Sequence, residues 1–218
     1  MHQDVRKELL ALIGQVQSYV LYQKELGLKA FPQSKAASQN LAAVREELGE
    51  CHRCRLSEGR KNIVFGEGNK TARLVFVGEG PGYEEDDQGR PFVGKAGQLL
   101  TRIVAAIGMT RDEVYITNVV KCRPPQNRTP WPDEIASCYP FLVKQLKTIR
   151  PKVICALGNA AAQTLLDTDA GITTLRGTFH AWEGIKVMPT FHPAYLLRNP
   201  ERKRETWQDM KAIQKELA

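Results

Sequence analysis

Apolar residues along this chain fall into two alternating patterns. Four short, nearly unbroken runs read as buried strands: Arg73-Leu-Val-Phe-Val77, Val114-Tyr-Ile-Thr-Asn118, Lys152-Val-Ile-Cys-Ala-Leu157 and Lys186-Val-Met-Pro-Thr190. Longer segments between them space their apolar residues helically: Gly97–Ile107, stopped by Gly108, then Asp133–Ile149, Asn159–Leu166 and the charged Glu201–Leu217. Asn40–Leu48 reads as a short helix with Asn40 as N-cap. Pro140 is expected to bend or interrupt the helix that contains it. The acidic stretch Gly80–Gly94 and the basic, Pro-rich stretch Lys121–Trp131 read as loops.

Strands alternating with helices predict an α/β fold. The expectation is one domain over residues 40–218, three layers α/β/α around a central, mostly parallel four-stranded sheet. Upstream, Asp4–Leu26 carries Leu9, Leu12, Ile13 and Val16 at helical spacing and ends at Gly27, which predicts an N-terminal helical extension over residues 1–39.

Composition narrows the class. A chain of 218 residues with 42% apolar content can bury one good core. No apolar run approaches membrane-spanning length, and the N-terminus lacks the pattern of a secretory signal, so a cytoplasmic protein is expected. Lys and Arg number 31 against 24 Asp and Glu, for a formal charge of +7. That balance favours polyanionic partners without identifying one.

The candidate chemistry sits at strand ends. Glu79 follows the first strand within Gly78-Glu-Gly-Pro-Gly82, Asn118 ends the second, and His192 follows the last. In open α/β sheets the crevice beyond the carboxyl ends of the strands binds ligands, so three polar groups there point to one site. The glycine loop is not a dinucleotide fingerprint, because the third required glycine would fall on Tyr83, and no Gly-Lys-Ser/Thr follows as in a P-loop. Taken alone, its glycines make a tight turn and Asn118 a turn asparagine; the alternative is an amide that reads a planar ligand edge. Phe92, in the loop Gly89-Arg-Pro-Phe-Val-Gly94, is either core or a stacking plate. Arg198–Arg204 is either solvated surface or a strip that tracks phosphates.

Five cysteines argue against a fully paired disulfide framework. Cys51 and Cys54 form a C-x2-C pair, and Cys122 and Cys138 lie downstream with fifteen residues between them. Four such thiols can hold zinc or an iron–sulfur cluster, or remain unliganded and buried, and the spacing does not separate these options. Cys155, inside an apolar run, reads as a small buried hydrophobe.

Four blocks, Gly78-Glu-Gly-Pro-Gly82, Gly89-Arg-Pro-Phe-Val-Gly-Lys-Ala-Gly97, Ile116-Thr-Asn-Val-Val-Lys-Cys-Arg-Pro-Pro125 and His192-Pro-Ala-Tyr-Leu-Leu-Arg198, together resemble the family 4 uracil-DNA glycosylases over roughly residues 40–215. These are bacterial and archaeal repair enzymes with a [4Fe-4S] cluster. The resemblance implies a monomer that removes uracil from single- or double-stranded DNA. It implies that Cys51, Cys54, Cys122 and Cys138 ligate the cluster and Cys155 does not. Phe92 would stack on a flipped uracil, Asn118 would read its edge, and His192 would face O2 of the leaving group. Glu79 and the backbone of Gly80 would belong to the water and sugar side, with Glu85 near the base. The best-known uracil glycosylases place an aspartate where Gly80 stands, so their water-activating carboxylate is absent here. A related branch that bonds covalently to DNA uses a histidine in a loop after the asparagine motif, and Cys122–Pro130 contains none. The alternatives are a glycosylase of the same superfamily with other preferred bases, or a non-catalytic nucleic-acid-binding metalloprotein.

Overall fold

A computed structural model describes residues 40–218. The helix expected over Asp4–Leu26, and the extension over residues 1–39, lie outside the described residues. Strand β2 (Leu74–Gly78) pairs in parallel with β3 (Tyr115–Asn118) on one side and β4 (Val153–Leu157) on the other, and β4 pairs in parallel with β6 (Ile185–Thr190). All residues of β2, β3 and β4 are buried. Strands covered on both faces read as unbroken apolar runs, which is why these were visible in the sequence.

The sheet has six strands, not the four expected. Two short antiparallel edges complete it: β1 (Glu67–Gly68) on β3 and β5 (His180–Trp182) on β6, in the order β1-β3-β2-β4-β6-β5. Two or three residues are too few to display an alternating pattern.

Alternation along the central strands feeds two cores. Val75, Val77, Ile154, Ala156 and Val187 face helices α5 (Pro132–Ile149) and α6 (Asn159–Leu166). Leu74, Phe76, Ile116, Cys155 and Met188 face α4 (Lys95–Ala106) and α9 (Lys203–Leu217). These are the three expected layers. The chain leaves β2 across one face and returns from β3 across the other, so the strand order reverses at β2, the position where such sheets open a crevice.

Three helical details refine the expectation. Helix α5 runs through Pro140 without interruption. The lost hydrogen bond and ring clash cost about 3 kcal/mol, which burial of Phe141, Leu142 and Leu146 beside the proline offsets. The acidic stretch expected to be loop contains helix α3 (Tyr83–Gln88). Its Glu84, Glu85 and Asp86 occupy the first turn, where negative charge stabilises a helix N-terminus. His192 opens a further short helix, α8 (Pro193–Arg198).

A buried ion pair secures the end of β6. Asp209 on α9 accepts from Arg176 at 2.6 Å and from Thr190 Oγ1 at 2.6 Å. Burial pushes the Asp209 carboxyl up, against the Thr190 and Arg176 hydrogen bonds that hold it down. Thr190 is two residues before His192, so this pair anchors the strand that delivers the histidine.

Candidate active site

The register of β2 on β3 sets Gly78 directly beside Asn118. Phe92, Asn118 and His192 line one cavity of about 620 Å³, together with Glu79, Gly80 and Glu85. The Phe92 and His192 rings lie 5.6 Å apart between centroids, tilted by 35°. Gly78 is required at its position. A Cβ there would stand 2.4 Å from Asn118 Oδ1 and 2.5 Å from Phe92 Cζ.

Asn118 is buried, and its Oδ1 has no hydrogen-bond partner within the protein. An orphaned buried acceptor costs about 1–3 kcal/mol unless a ligand satisfies it. The backbone of Asn118 is held from behind. The fully buried Lys121 amine donates to the Asn118 carbonyl at 2.6 Å, to Thr117 Oγ1 at 2.7 Å and to Gln145 Oε1 at 2.7 Å. Burial drives the Lys121 pKa down to about 8.

His192 caps helix α8 with its own side chain. Nδ1 accepts from the Ala194 amide at 3.1 Å. Nδ1 is therefore unprotonated, and in the neutral ring Nε2 carries the hydrogen. Enclosure by the protein, with a smaller contribution from the Arg198 charge, drives the His192 pKa down to about 4. Both features favour the neutral ring.

The two carboxylates differ. Burial pushes the Glu79 carboxyl up, partly opposed by the Thr129 hydroxyl. Glu85 spends both oxygens on the chain: Oε1 accepts from the Val93 and Gly94 amides at 2.8 and 2.9 Å, and Oε2 from the Gly82 amide at 3.1 Å. It ties the glycine loop to the Phe92 loop. Phe92 itself sits at φ 53°, a left-handed conformation that side chains rarely adopt.

Around the mouth stand Lys95, Arg128 and Arg198, with the exposed side chains of Tyr83 and Leu197. Tyr83 and Thr129 carry no motif that singles them out in the sequence, and Leu197 lies in the block that begins at His192 without having been assigned a role.

The expectation of a [4Fe-4S] cluster on Cys51, Cys54, Cys122 and Cys138 is corrected. Among the described residues no three His, Cys, Asp or Glu side chains are grouped so as to hold a metal ion. All five cysteines are free thiols. The four thiols share a neighbourhood, since Cys54, Cys122 and Cys138 each feel others of the set electrostatically. Arg60 Nη1 reaches Cys122 Sγ at 3.3 Å and the Lys121 amide reaches Cys138 Sγ at 3.3 Å. Burial raises the Cys54 and Cys138 thiols and pushes Cys122 up to about 11. Cys155 is buried in β4, as expected.

With an α/β sheet opening a polar crevice at β2, comparison with known proteins defines the class. The model of the uracil DNA glycosylase superfamily matches residues 65–211, and the chain belongs to that superfamily. Its relatives place it more narrowly. It is 54% identical over 158 residues to a type-4 uracil-DNA glycosylase of Thermotoga maritima, covering 72% of this chain and 82% of the relative. It is 43% identical over 188 residues to the type-4 enzyme of Saccharolobus solfataricus, covering 82% and 87%. A type-4 enzyme of Archaeoglobus fulgidus is 44% identical over 183 residues, covering 80% and 92%. The chain is a member of the type-4 uracil-DNA glycosylase family. Among the described residues no helix is long and apolar enough to cross a membrane.

Proposed function

We propose that the chain hydrolyses the bond between deoxyribose C1′ and uracil N1 in DNA, releasing uracil and leaving an abasic site. The observation that carries this reading is the unpartnered Oδ1 of buried Asn118, in one cavity with an aromatic ring and a neutral histidine. Duplex DNA hides the bond, so the nucleotide must leave the stack at a cost of a few kcal/mol. Stacking on Phe92 returns roughly 1–3 kcal/mol. Leu197, exposed at the mouth, supplies an apolar group for the space the base vacates. Single-stranded DNA presents the same flipped base and is a substrate on the same argument.

Uracil offers a donor at N3 and an acceptor at O4. The Asn118 carbonyl accepts from N3–H and its amide NH2 donates to O4. Cytosine reverses both partners and leaves buried groups unpaired, at about 1–3 kcal/mol. As the glycosidic bond breaks, negative charge builds on the base and positive charge on the sugar. The Nε2–H of His192 donates to O2 and strengthens as that charge develops, an effect worth a few kcal/mol for a preorganised donor. A neutral ring suits this role, because Nδ1 can accept from the Ala194 amide while Nε2 keeps its hydrogen to donate. Glu79 and the Gly80 backbone serve the sugar side, where the carboxylate orients water and favours the sugar cation. A strong base is unnecessary when the bond is largely broken before water attacks.

The test is incubation with single- and double-stranded oligonucleotides carrying one deoxyuridine, then alkaline cleavage. Strand scission at the uracil position is expected. DNA binding with no abasic product would instead favour a non-catalytic nucleic-acid-binding protein.

A further inference from the structure

Phe92 holds a backbone conformation that its own side chain disfavours, so something outside the loop must hold it there. Helix α4 presses on it from one side: a Cβ on Gly97 would stand 1.9 Å from the Phe92 carbonyl oxygen. From another side comes Arg111, which lies just before β3, outside every motif considered above. Its Nη2 donates to the Pro91 carbonyl at 2.8 Å and its Nη1 to the Phe92 carbonyl at 3.1 Å. Nη1 also reaches Thr101 Oγ1 on α4 at 3.3 Å. Arg111 is in turn held by Glu67 of β1, whose Oε1 accepts from Nη2 at 2.6 Å. Glu67 also takes Arg90 Nε at 2.8 Å, two residues before Phe92. Burial pushes the Glu67 carboxyl up, but the bonds from Arg90 and Arg111 outweigh it and hold the group below the usual carboxylate range.

We infer that Arg111, locked by Glu67 on the edge strand β1, is a positioning residue that holds the Phe92 ring where it stacks on the base. The planar five-donor guanidinium bridges two consecutive carbonyls, the Thr101 hydroxyl and a carboxylate at once, which a lysine ammonium cannot reproduce. Glu85 grips the following amides, at Val93 and Gly94, so both sides of the left-handed residue are fixed by side chains from elsewhere. The inference rests on the stacking role proposed for Phe92.

The test separates base recognition from folding and from backbone binding. Wild type, Arg111→Met, Arg111→Lys, Phe92→Ala and the double variant Arg111→Met/Phe92→Ala are compared. Two readouts are taken: inhibition by free uracil, and affinity for an oligonucleotide with an abasic-site analogue, which offers no base to stack. Phe92→Ala should weaken uracil inhibition by about tenfold, in line with the loss of one stacking contact. Arg111→Met should weaken it by roughly threefold to tenfold, with abasic-DNA affinity within about twofold of wild type. Arg111→Lys should recover little, and the double variant should lose no more than Phe92→Ala alone. If Arg111→Met does not yield folded protein, Arg111→Lys carries the same comparison. Unchanged uracil inhibition in the Arg111 variants, beside a loss in Phe92→Ala, overturns the inference alone. So does an equal loss of uracil and abasic-DNA binding, or additive losses in the double variant. Unchanged inhibition in Phe92→Ala removes the stacking role and the inference with it.

Discussion

Lowering the pH tests the neutral state of His192. Its pKa falls from the ordinary 6.5 to about 4, chiefly because the ring is enclosed by protein. At 1.36 kcal/mol per pH unit, that depression disfavours the imidazolium by roughly 3 kcal/mol. Between pH 6.5 and about 4 the unfolded chain binds a proton here that the native chain does not, so this residue makes stability fall as pH falls through that window. Above pH 6.5 both states are neutral and the contribution vanishes. The assay is a 15N titration of histidine-labelled protein, with the His192 signals assigned by their loss in His192→Ala. From pH 7.5 down to about 5, His192 should stay the Nε2–H tautomer with unprotonated Nδ1. Arg198→Met should raise its midpoint only modestly, because enclosure is the larger cause. A midpoint near 6.5 in wild type, or a protonated Nδ1 at pH 7, would refute the reasoning. The NMR readout matters because Glu79, with its raised pKa, also affects the acid limb of any rate profile.

Three further outcomes follow from the geometry. Asn118→Asp replaces the donor to O4 by a carboxylate and should slow single-turnover uracil excision by about two orders of magnitude, on the scale of a lost and reversed hydrogen bond; equal rates would end its reading role. Gly78→Ala drives a methyl group into both Asn118 and Phe92, so excision should fall together with a stability loss of about 1–3 kcal/mol, read by urea titration. Arg176→Met strips Asp209 of its buried partner and should cost about 3–5 kcal/mol in the same titration; an unchanged midpoint would show the pair to be dispensable.

What the sequence disclosed, and what it hid, divides by distance along the chain. Strands β2, β3, β4 and β6 were legible because burial on both faces leaves an apolar run. The strand-end polar groups Glu79, Asn118 and His192 were legible because the fold class says where strands end. Edges β1 and β5 were too short to show a period, and α3 was hidden because its helix-favouring acidic first turn resembles a solvated loop. Arg111, Glu67 and Lys121 were hidden for a different reason. Each is a charged residue with partners far along the chain: the Pro91 and Phe92 carbonyls for Arg111, the Arg90 and Arg111 side chains for Glu67, and Gln145 for Lys121, and no local pattern records that. The cysteines show the converse error. The resemblance implied a cluster on them, but neither it nor C-x2-C spacing states how four thiols from three segments are placed.

The most direct measurement of the central claim is a crystal structure of the protein with free uracil bound. The pyrimidine should lie in the cavity, parallel to the Phe92 ring, with N3 and O4 against the Asn118 amide and O2 against His192 Nε2. Uracil bound elsewhere, or lying in this cavity with its O4 edge turned away from Asn118, would contradict it.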